Sequence, residues 1–210
     1  MARVSGIREV RGLMEISLDG VLWLRVKKKH FAKFPLSPDD EIDADVYISS
    51  MAAVQADDCY EAALCILDRS AQTGGNMRQK LILKGYVAPA AEASVERLKE
   101  NHLIDDKQFA MRIANSSTSK PVGAYAMQRK LRAKRLPQEV IDEAMQCFDA
   151  EQQARACRSA AKSLYRKYAA LPPREARSKL SQSLARRGFA WDSISAAVDD
   201  IIAEYDFEED

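Results

Sequence analysis

The N-terminal residues alternate between apolar and polar side chains, whereas the rest of the chain follows a helical period. Met14–Leu18 alternates in this way, Asp19-Gly20 is a dipeptide favoured in two-residue hairpin turns, and Val21–Val26 returns with a second apolar run. The pattern predicts a β-hairpin in which Trp23 lies across from Ile16. An isolated hairpin is marginally stable in water, so we expect its apolar face to pack on the first helices.

The helical part contains a repeated pattern. A leucine, a cation, a helix-ending position and a large apolar residue recur in Leu81–Tyr86, Leu131–Leu136 and Leu184–Phe189, which start 50 and 53 residues apart. Apolar residues then follow each helix-ending position at offsets of 6, 10 and 13, which lie on one face of a helix. The helix-ending positions are Gly85, Arg135 and Gly188, and the apolar residues that follow them are Ala91, Val95, Leu98, Ile141, Met145, Phe148, Ile194, Val198 and Ile201.

Three units of about 50 residues with about three short helices each indicate an array whose neighbouring units complete each other's cores. The predicted fold is mainly α, with tandem three-helix repeats in an elongated array after a small N-terminal β-hairpin. The first helix of the first repeat is predicted to start near Asp57 or Asp58, and Asp39–Asp45 to be a solvated acidic linker. The predicted segments are 1–50 (hairpin and linker), 51–102, 103–148 and 149–210 (three repeats, the last with an acidic tail).

The second repeat begins with a strong helix-start signal. Asp105 is placed as the N-cap, and Gln108 three residues later completes the pattern of a capping box. With this frame, Ile104 and Phe109 occupy the two positions that a hydrophobic staple joins. The pattern therefore predicts both the first turn of the helix and the direction from which the chain enters it.

Charge is segregated along the chain although the formal net charge is only +1. Residues 120–190 carry 16 basic and 6 acidic side chains, whereas residues 191–210 carry no basic and 8 acidic ones. The acidic tail, Glu204–Asp210, either keeps the C-terminus soluble or screens the basic region until a partner displaces it. These two interpretations stay open at this point.

A stripe of four cations in the third repeat is the clearest candidate binding surface. On a helical wheel these side chains fall within about 80° of arc, opposite Cys157, Leu164 and Tyr168. Like charges at this spacing repel, so the arrangement favours an anionic partner over a merely solvated face. With a second cluster after Pro121 and two cations near Gly188, the candidate partner-binding residues are Arg129, Lys130, Arg132, Lys134, Arg135, Arg155, Arg158, Lys162, Arg166, Arg186 and Arg187.

Motifs for catalysis or metal binding are missing from the sequence. The two histidines and four cysteines lack zinc-site spacing, and no G-x-S-x-G, H-E-x-x-H or Walker pattern occurs. Paired acids fall in linkers or at helix ends, where capping explains them. We therefore expect a non-enzyme with no metal and no cofactor. Because the N-terminus has no apolar signal segment and the longest uncharged run, Val46–Ala56, has 11 residues, we expect a cytoplasmic protein with no membrane association. The chain is also expected to be a monomer.

Three stretches together resemble the RecX family of bacterial regulators over about residues 58–200. They are Arg78–Tyr86, Leu103–Ala110 and Leu184–Phe189, of which Leu103-Ile-Asp-Asp-Lys-Gln-Phe-Ala110 is the most specific. The resemblance implies three tandem three-helix repeats in a curved array. It also implies a protein that binds the RecA recombinase filament, lies in its helical groove and suppresses strand exchange and ATP hydrolysis, and some members contact DNA. The chain departs from the family at Gly74-Gly75-Asn76, at Arg135, where glycine is common, and in its acidic tail.

The predicted function is therefore regulation of RecA. The chain is expected to bind the RecA nucleoprotein filament through its basic residues and to inhibit or modulate the recombinase and ATPase activities. One alternative is a helical-repeat protein that binds DNA directly without RecA, and another is a helical adaptor for an unrelated partner. Aromatic residues are few among the basic ones, which disfavours a base-stacking platform for single strands.

Overall fold

The computed structural model of the chain divides into two compact units, Met1–Asp105 and Asp106–Asp210, and describes residues 1–116, 121–146 and 148–206. The described part is mainly helical with one small N-terminal antiparallel sheet, which confirms the predicted fold class. In chain order the elements are β1 (Ala2–Val10), β2 (Leu13–Leu18), β3 (Val21–Lys27), α1 (Lys28–Phe31), β4 (Glu41–Ile42), α2 (Ala44–Leu67), α3 (Gly74–Leu83), α4 (Ala88–Glu100), α5 (Asp106–Ser116), α6 (Ala124–Ala133), α7 (Gln138–Met145), α8 (Ala150–Tyr165), α9 (Pro173–Arg186) and α10 (Trp191–Asp206).

The sheet has the strand order β3-β2-β1-β4, so the predicted hairpin, β2–β3, is correct but incomplete. Its turn residues, Asp19 and Gly20, have φ of 49° and 85°, the positive values that a primed two-residue turn requires. The predicted pairing of Trp23 with Ile16 is wrong, because a register shift pairs Ile16 with Leu24 instead. Strand β1 was not predicted, since an irregularity between Val4 and Gly6 interrupts its alternation.

The acidic segment Asp39–Asp45 is structured and is not the solvated linker predicted from composition. Asp39 forms an ion pair with Arg3, and the two residues of β4 pair with β1. Asp43 is the N-cap of α2, and its carboxylate accepts hydrogen bonds from two backbone N–H groups of the first turn. The acidic residues of this segment therefore contribute to a strand, a helix cap and an ion pair.

Helix α2 starts much earlier than predicted. It runs from Ala44 to Leu67, so the predicted start near Asp57 or Asp58 is wrong and the proposed segment 1–50 includes the first turns of this helix. The error has a physical cause, because the cap at Asp43 lies before the uncharged run and that run continues as helix. In unit 1, α2 packs against α3 and α4.

Asp58 connects the end of the sheet to the helices of unit 1. Its carboxylate lies 3.0 Å from Lys27 Nζ and 3.3 Å from His30 Nε2, pairs with Lys29, and accepts a hydrogen bond of 2.7 Å from the buried hydroxyl of Tyr86. Burial raises the pKa of Asp58, but hydrogen bonds from Lys29, Tyr86 and Lys27 outweigh it and hold this pKa well below its usual range. The charged form is therefore the one that stabilises unit 1.

We expect Asp58→Asn to lower the free energy of unfolding of unit 1 by about 2 kcal/mol at pH 7, because three cationic or hydroxyl donors lose a charged acceptor. A depressed folded-state pKa contributes stability above the unfolded-state pKa of about 4, and this contribution is lost as the pH falls. The variant should therefore lose less stability than the wild type on acidification. Urea unfolding followed by Trp23 fluorescence in a Trp191→Phe background measures this.

Asp57→Asn is the matched control, since Asp57 is the exposed neighbour of Asp58. It should unfold like the wild type both at pH 7 and after acidification. Equal stability of the two variants at pH 7 would show that the Asp58 cluster does not stabilise unit 1.

The three helix-ending positions share the same unusual backbone. Gly85, Arg135 and Gly188 have φ of 87°, 54° and 82°, so each helix ends on a left-handed residue, as the repeated pattern predicted. The apolar residues at offsets 6, 10 and 13 are buried in the first and third repeats, whereas Met145 and Phe148 of the second are only half-buried. Phe148 also lies beyond the end of α7.

Unit 2 contains two groups of three helices, α5–α7 and α8–α10, each with its own cluster of buried apolar residues. Helix α5 starts at Asp106, which places Asp105 at the position predicted for its N-cap. The side chain of Gln108 lies 3.5 Å from a guanidinium nitrogen of Arg112. The guanidinium group of Arg112 also lies over the ring of Phe109. The capping box, the staple and the predicted segment boundaries stay predictions.

Candidate partner-binding surface

Helix α8 has one apolar and one basic face, as the helical wheel predicted. Asp149 is its N-cap and accepts a hydrogen bond of 2.6 Å from the backbone N–H of Gln152. The apolar face is buried against α9 and α10 and consists of Cys157, Ala160, Ala161 and Leu164. Burial raises the pKa of the Cys157 thiol to about 11, so it is a neutral core residue. The opposite, exposed face carries Arg155, Arg158, Lys162 and Arg166.

Two cations of this stripe pair with carboxylates of α10. Arg158 lies 3.3 Å from Asp200, and Lys162 lies 2.6 Å from Glu204. The two helices run parallel, because both members of the second pair lie four residues after those of the first. Hydrogen bonding from Lys162, and its charge, hold the pKa of the Glu204 carboxyl below its usual range.

The other cations of the third repeat differ in their surroundings. Arg155 pairs with Glu151 one turn earlier on α8, at 2.9 Å, and Arg177 of α9 pairs with Asp199. Arg166 is exposed at the C-cap of α8 and has no ion pair within the described residues. The stripe is thus partly neutralised, although the sequence of α8 alone predicted an uncompensated one.

The ion pair of Lys162 with Glu204 agrees with one of the two interpretations of the acidic tail, in which it screens the basic region. Sequence reasoning did not assign the individual pairs, and it missed Asp199 and Asp200, which precede the predicted tail. The spacing does contain a signal for these pairs. Asp200 and Glu204 are four residues apart, as are Arg158 and Lys162, so the acids can face the cations when the first and third helices of the group run parallel. The final residues of the predicted tail, 207–210, lie outside the described part of the chain, as do 117–120 and Cys147.

The second basic cluster lies on α6 and on the two residues that follow it, Lys134 and Arg135. Helix α6 buries Met127 and Leu131 in the core of its own helix group. Lys134 is half-buried, whereas the other four cations of the cluster are exposed and form no ion pair within the described residues: Arg129, Lys130, Arg132 and Arg135. This cluster is therefore less compensated than the stripe on α8.

Two glycines join α6 to the third helix group. The N–H of Gly123 donates to the carbonyl of Arg187 at 2.9 Å, and the N–H of Tyr125 donates to the carbonyl of Gly188 at 3.1 Å. A Cβ at Gly123 would lie 2.1 Å from the carbonyl carbon of Gly188, so only glycine allows this approach. The N–H of Ala124 also donates to the side chain of Gln153 on α8, at 3.0 Å. The contacts of Gly123 with Arg187 and Gly188, here called the glycine junction, therefore join the start of α6 to the end of α9, and Gln153 adds one link to α8.

The two remaining candidate cations lie at the end of α9. Arg186 is exposed, and its guanidinium lies 3.4 Å from the hydroxyl of Ser183. Arg187 is half-buried at the C-cap, where its carbonyl forms part of the glycine junction. Arg187 therefore has a structural role through its backbone carbonyl. Arg186 is exposed and belongs to the candidate basic surface.

The described residues show neither a metal site nor a membrane span. Among residues 1–116, 121–146 and 148–206, no group of three or more His, Cys, Asp or Glu side chains is placed to hold a metal ion. Within the same ranges, no helix is both long enough and apolar enough to cross a membrane.

The recurrent three-helix groups, each with its own apolar core, define a helical-repeat protein. Residues 151–198 match the family model described as RecX, third three-helix domain. Regulatory protein RecX of Chlorobaculum tepidum is 34% identical over 143 residues, which cover 68% of this chain and 87% of that protein. The chain belongs to the RecX family of regulatory proteins, which confirms the resemblance seen in the sequence.

Further relatives match over most of the chain. Regulatory protein RecX of Bacillus subtilis is 29% identical over 198 residues, 93% of this chain and 74% of that protein. A crystal structure of regulatory protein RecX superimposes with a TM-score of 0.62 at 25% identity, covering 95% of this chain and all of that one. The structure of RecX from Lactobacillus salivarius, at 22% identity and a TM-score of 0.61, shares the fold over 72% of this chain.

Proposed function

We propose that this chain binds the RecA nucleoprotein filament and inhibits or modulates its recombinase and ATPase activities. Membership in a family of regulatory proteins supports a regulatory role. The observation that supports an anionic partner most directly is the exposed basic cluster on and just after α6, a helix whose start the glycine junction joins to the end of α9. A nucleoprotein filament presents such an anionic surface.

The proposed mechanism is steric and electrostatic. An exposed ion pair contributes only about 0 to 1 kcal/mol, so useful affinity requires several contacts on one rigid surface. Unit 2 carries five exposed candidate cations for such contacts, on or just after α6 and at the end of α8: Arg129, Lys130, Arg132, Arg135 and Arg166. Binding across neighbouring RecA protomers would obstruct the groove that a second DNA enters.

The acids of α10 compete with the partner in this proposal. Arg158 and Lys162 already face Asp200 and Glu204, so an anionic partner must displace these carboxylates before it uses the α8 stripe. The exchange of one carboxylate for another anion yields little net energy. We infer that α6 contributes more to binding than the centre of α8 and that α10 weakens binding at low salt.

Asp200→Asn combined with Glu204→Gln is expected to tighten filament binding about two- to fivefold at low salt, because it removes two competing carboxylates from exposed cations. The gain should shrink at high salt. Asp57→Asn with Glu100→Gln changes the net charge equally at exposed positions of unit 1 and should leave the affinity unchanged. Equal gains in both double variants would mean that only net charge matters, and that α10 does not screen α8.

The proposed function is tested by titrating the chain into RecA bound to single-stranded DNA and measuring ATP hydrolysis and strand exchange. We expect both activities to fall in a saturable manner. Unchanged activities with a large excess of folded chain would contradict the proposal.

Direct DNA binding without RecA is the second candidate, because the same cations fit phosphates. A protein that neutralises about eight phosphates loses roughly 10³- to 10⁵-fold in DNA affinity over a fourfold rise in salt. Tight binding to free DNA with this salt dependence, together with no effect on RecA, would support the second candidate.

A further inference from the structure

Unit 1 contains a cleft that the proposed function does not use. It has a volume of about 890 Å³ and lies between β2–β3 of the sheet and the α3–α4 region. Two of its leucines are unusually open to solvent, since Leu83 is 65% and Leu22 is 42% exposed. The apolar side chains that line it include Leu22, Trp23, Leu24, Ile82, Leu83 and Pro89. Exposed aliphatic side chains grouped around a concave surface are typical of binding sites.

Three arginines line the same cleft, together with one carboxylate. Arg8 and Arg25 lie on either side of Glu15 in the sheet, and each donates its Nε–H to a different Glu15 oxygen, at 2.6 and 2.7 Å. Glu15 is only 4% exposed, so a buried carboxylate holds both guanidinium groups in place. Arg11, in the β1–β2 turn, is exposed and has no ion pair within the described residues. The rim therefore carries an excess of positive charge.

The geometry of the two paired arginines leaves them able to bind a second anion. Each uses its Nε–H for Glu15, whereas a guanidinium group has five N–H donors in a planar fork. Their side chains are 74% and 52% exposed, so the remaining donors are accessible from the cleft side. A carboxylate is the group that such a fork binds in a bidentate manner.

Strand β3 adds a third feature. It is an edge strand of the sheet, paired with β2 on one side only among the described strands. Its residues Leu22 to Arg25 line the cleft. An extended segment that lies along such an edge alternates its side chains between two sides, so it can present both apolar side chains and carboxylates to a cleft lined by leucines and arginines.

We propose that this cleft binds an extended acidic segment of a protein, in which apolar side chains alternate with carboxylates. The apolar side chains occupy the surface formed by Leu22, Leu24 and Leu83, and the carboxylates pair with the arginines of the rim. A nucleic acid fits less well, because the lining is mainly aliphatic. Neither of the two aromatic residues in the lining offers an open ring for a base to stack on. Trp23 packs on Tyr47 with ring centroids 5.7 Å apart, and Tyr86 is 1% exposed.

Trp23 provides a direct probe of this site. The chain has two tryptophans, so in a Trp191→Phe background the fluorescence comes from Trp23 in the cleft. A six-residue peptide of alternating leucine and glutamate is titrated into the full-length chain. The comparison ligands are the same peptide with lysine for glutamate, inorganic phosphate and oligothymidylate. We expect a saturable change with the acidic peptide, with a Kd below about 1 mM, and none with the lysine peptide.

Two substitutions test the two linings separately. Arg11→Asn removes a cation and keeps the turn, because Asn-Gly is the preferred pair for positive φ at both positions, and Arg11 and Gly12 have φ of 52° and 80°. Leu83→Ser removes an exposed apolar side chain at the end of α3. We expect each variant to bind the acidic peptide about three- to fivefold more weakly, and the salt dependence to fall only in Arg11→Asn.

Arg69→Asn and Val46→Ser are matched controls, since both residues are exposed and lie outside the cleft lining. They should bind the acidic peptide as the parent does. The proposal is overturned if the acidic peptide gives no saturable signal, if phosphate or oligothymidylate binds as tightly, or if Arg11→Asn and Leu83→Ser leave binding unchanged. None of these measurements involves RecA, so their failure leaves the proposed function intact.

Discussion

Gly188→Ala is expected to lower the free energy of unfolding of unit 2 by about 2 to 4 kcal/mol. Gly188 has a φ of 82°, which costs an alanine about 1 kcal/mol. The added Cβ would also lie 2.2 Å from the backbone nitrogen and 2.8 Å from the Cα of Ala126 at the start of α6. Because backbone atoms cannot turn aside as a flexible side chain can, α6 must move, and overpacking of this kind costs a further 1 to 3 kcal/mol or so.

Urea unfolding followed by Trp191 fluorescence, in a Trp23→Phe background, and by circular dichroism measures this loss. Arg135→Gly is the matched comparison at the equivalent position of the second repeat. Arg135 has a φ of 54°, so glycine relieves strain there and should leave stability unchanged or raise it by up to about 1 kcal/mol. A Gly188→Ala variant as stable as the wild type would show that the glycine junction does not hold α6 in place.

Reversing two charges on α6 is expected to raise the concentration of chain needed for half-inhibition of the RecA ATPase about tenfold or more. Arg129→Glu with Arg132→Glu replaces two attractions by two repulsions in the centre of the proposed contact. At about 1 kcal/mol for each substitution, the two together cost about 2 kcal/mol, which exceeds the 1.4 kcal/mol or so of a tenfold change. Both side chains are exposed and form no ion pair within the described residues, so the helix should keep its packing. Circular dichroism checks that it does.

Arg69→Glu with Lys84→Glu is the matched control, because it makes the same change in net charge at exposed positions of unit 1. It should inhibit nearly as well as the wild type. The same reversal at Arg158 and Lys162 is a poorer test, since it would place new acids opposite Asp200 and Glu204 and disturb the packing of α8 on α10. If the α6 variant inhibits like the wild type, α6 is not the contact surface.

The features that sequence predicted well are local ones. A left-handed helix end with buried apolar residues at fixed offsets depends on neighbouring residues, so Gly85 and Gly188 could be assigned from the pattern. Arg135 is instructive, because its chemistry differs from glycine but the surrounding repeat still identified its role. The start of α5 after Asp105 was also predicted, since the signals of a helix start lie within a few residues.

The features that sequence missed depend on contacts between distant residues. Lys162 and Glu204 are 42 residues apart, and only the parallel packing of α8 and α10 brings them together. Strand β1 escaped detection because the irregularity near Gly6 breaks its alternation, and the arginine pair around Glu15 depends on the register of that strand. The ion pairs of Arg158 and Lys162 therefore make α6, rather than α8, the larger part of the candidate surface.

Binding to the RecA filament rather than to free DNA is tested by co-sedimentation of the wild-type chain with preformed RecA filaments on single-stranded DNA. The same DNA without RecA is the comparison, and both are measured at two salt concentrations that differ fourfold. We expect saturable binding to the filament at both concentrations and weak binding to free DNA at either one. Binding to free DNA that equals binding to the filament, and that falls by roughly 10³-fold or more over this rise in salt, would contradict the proposed function.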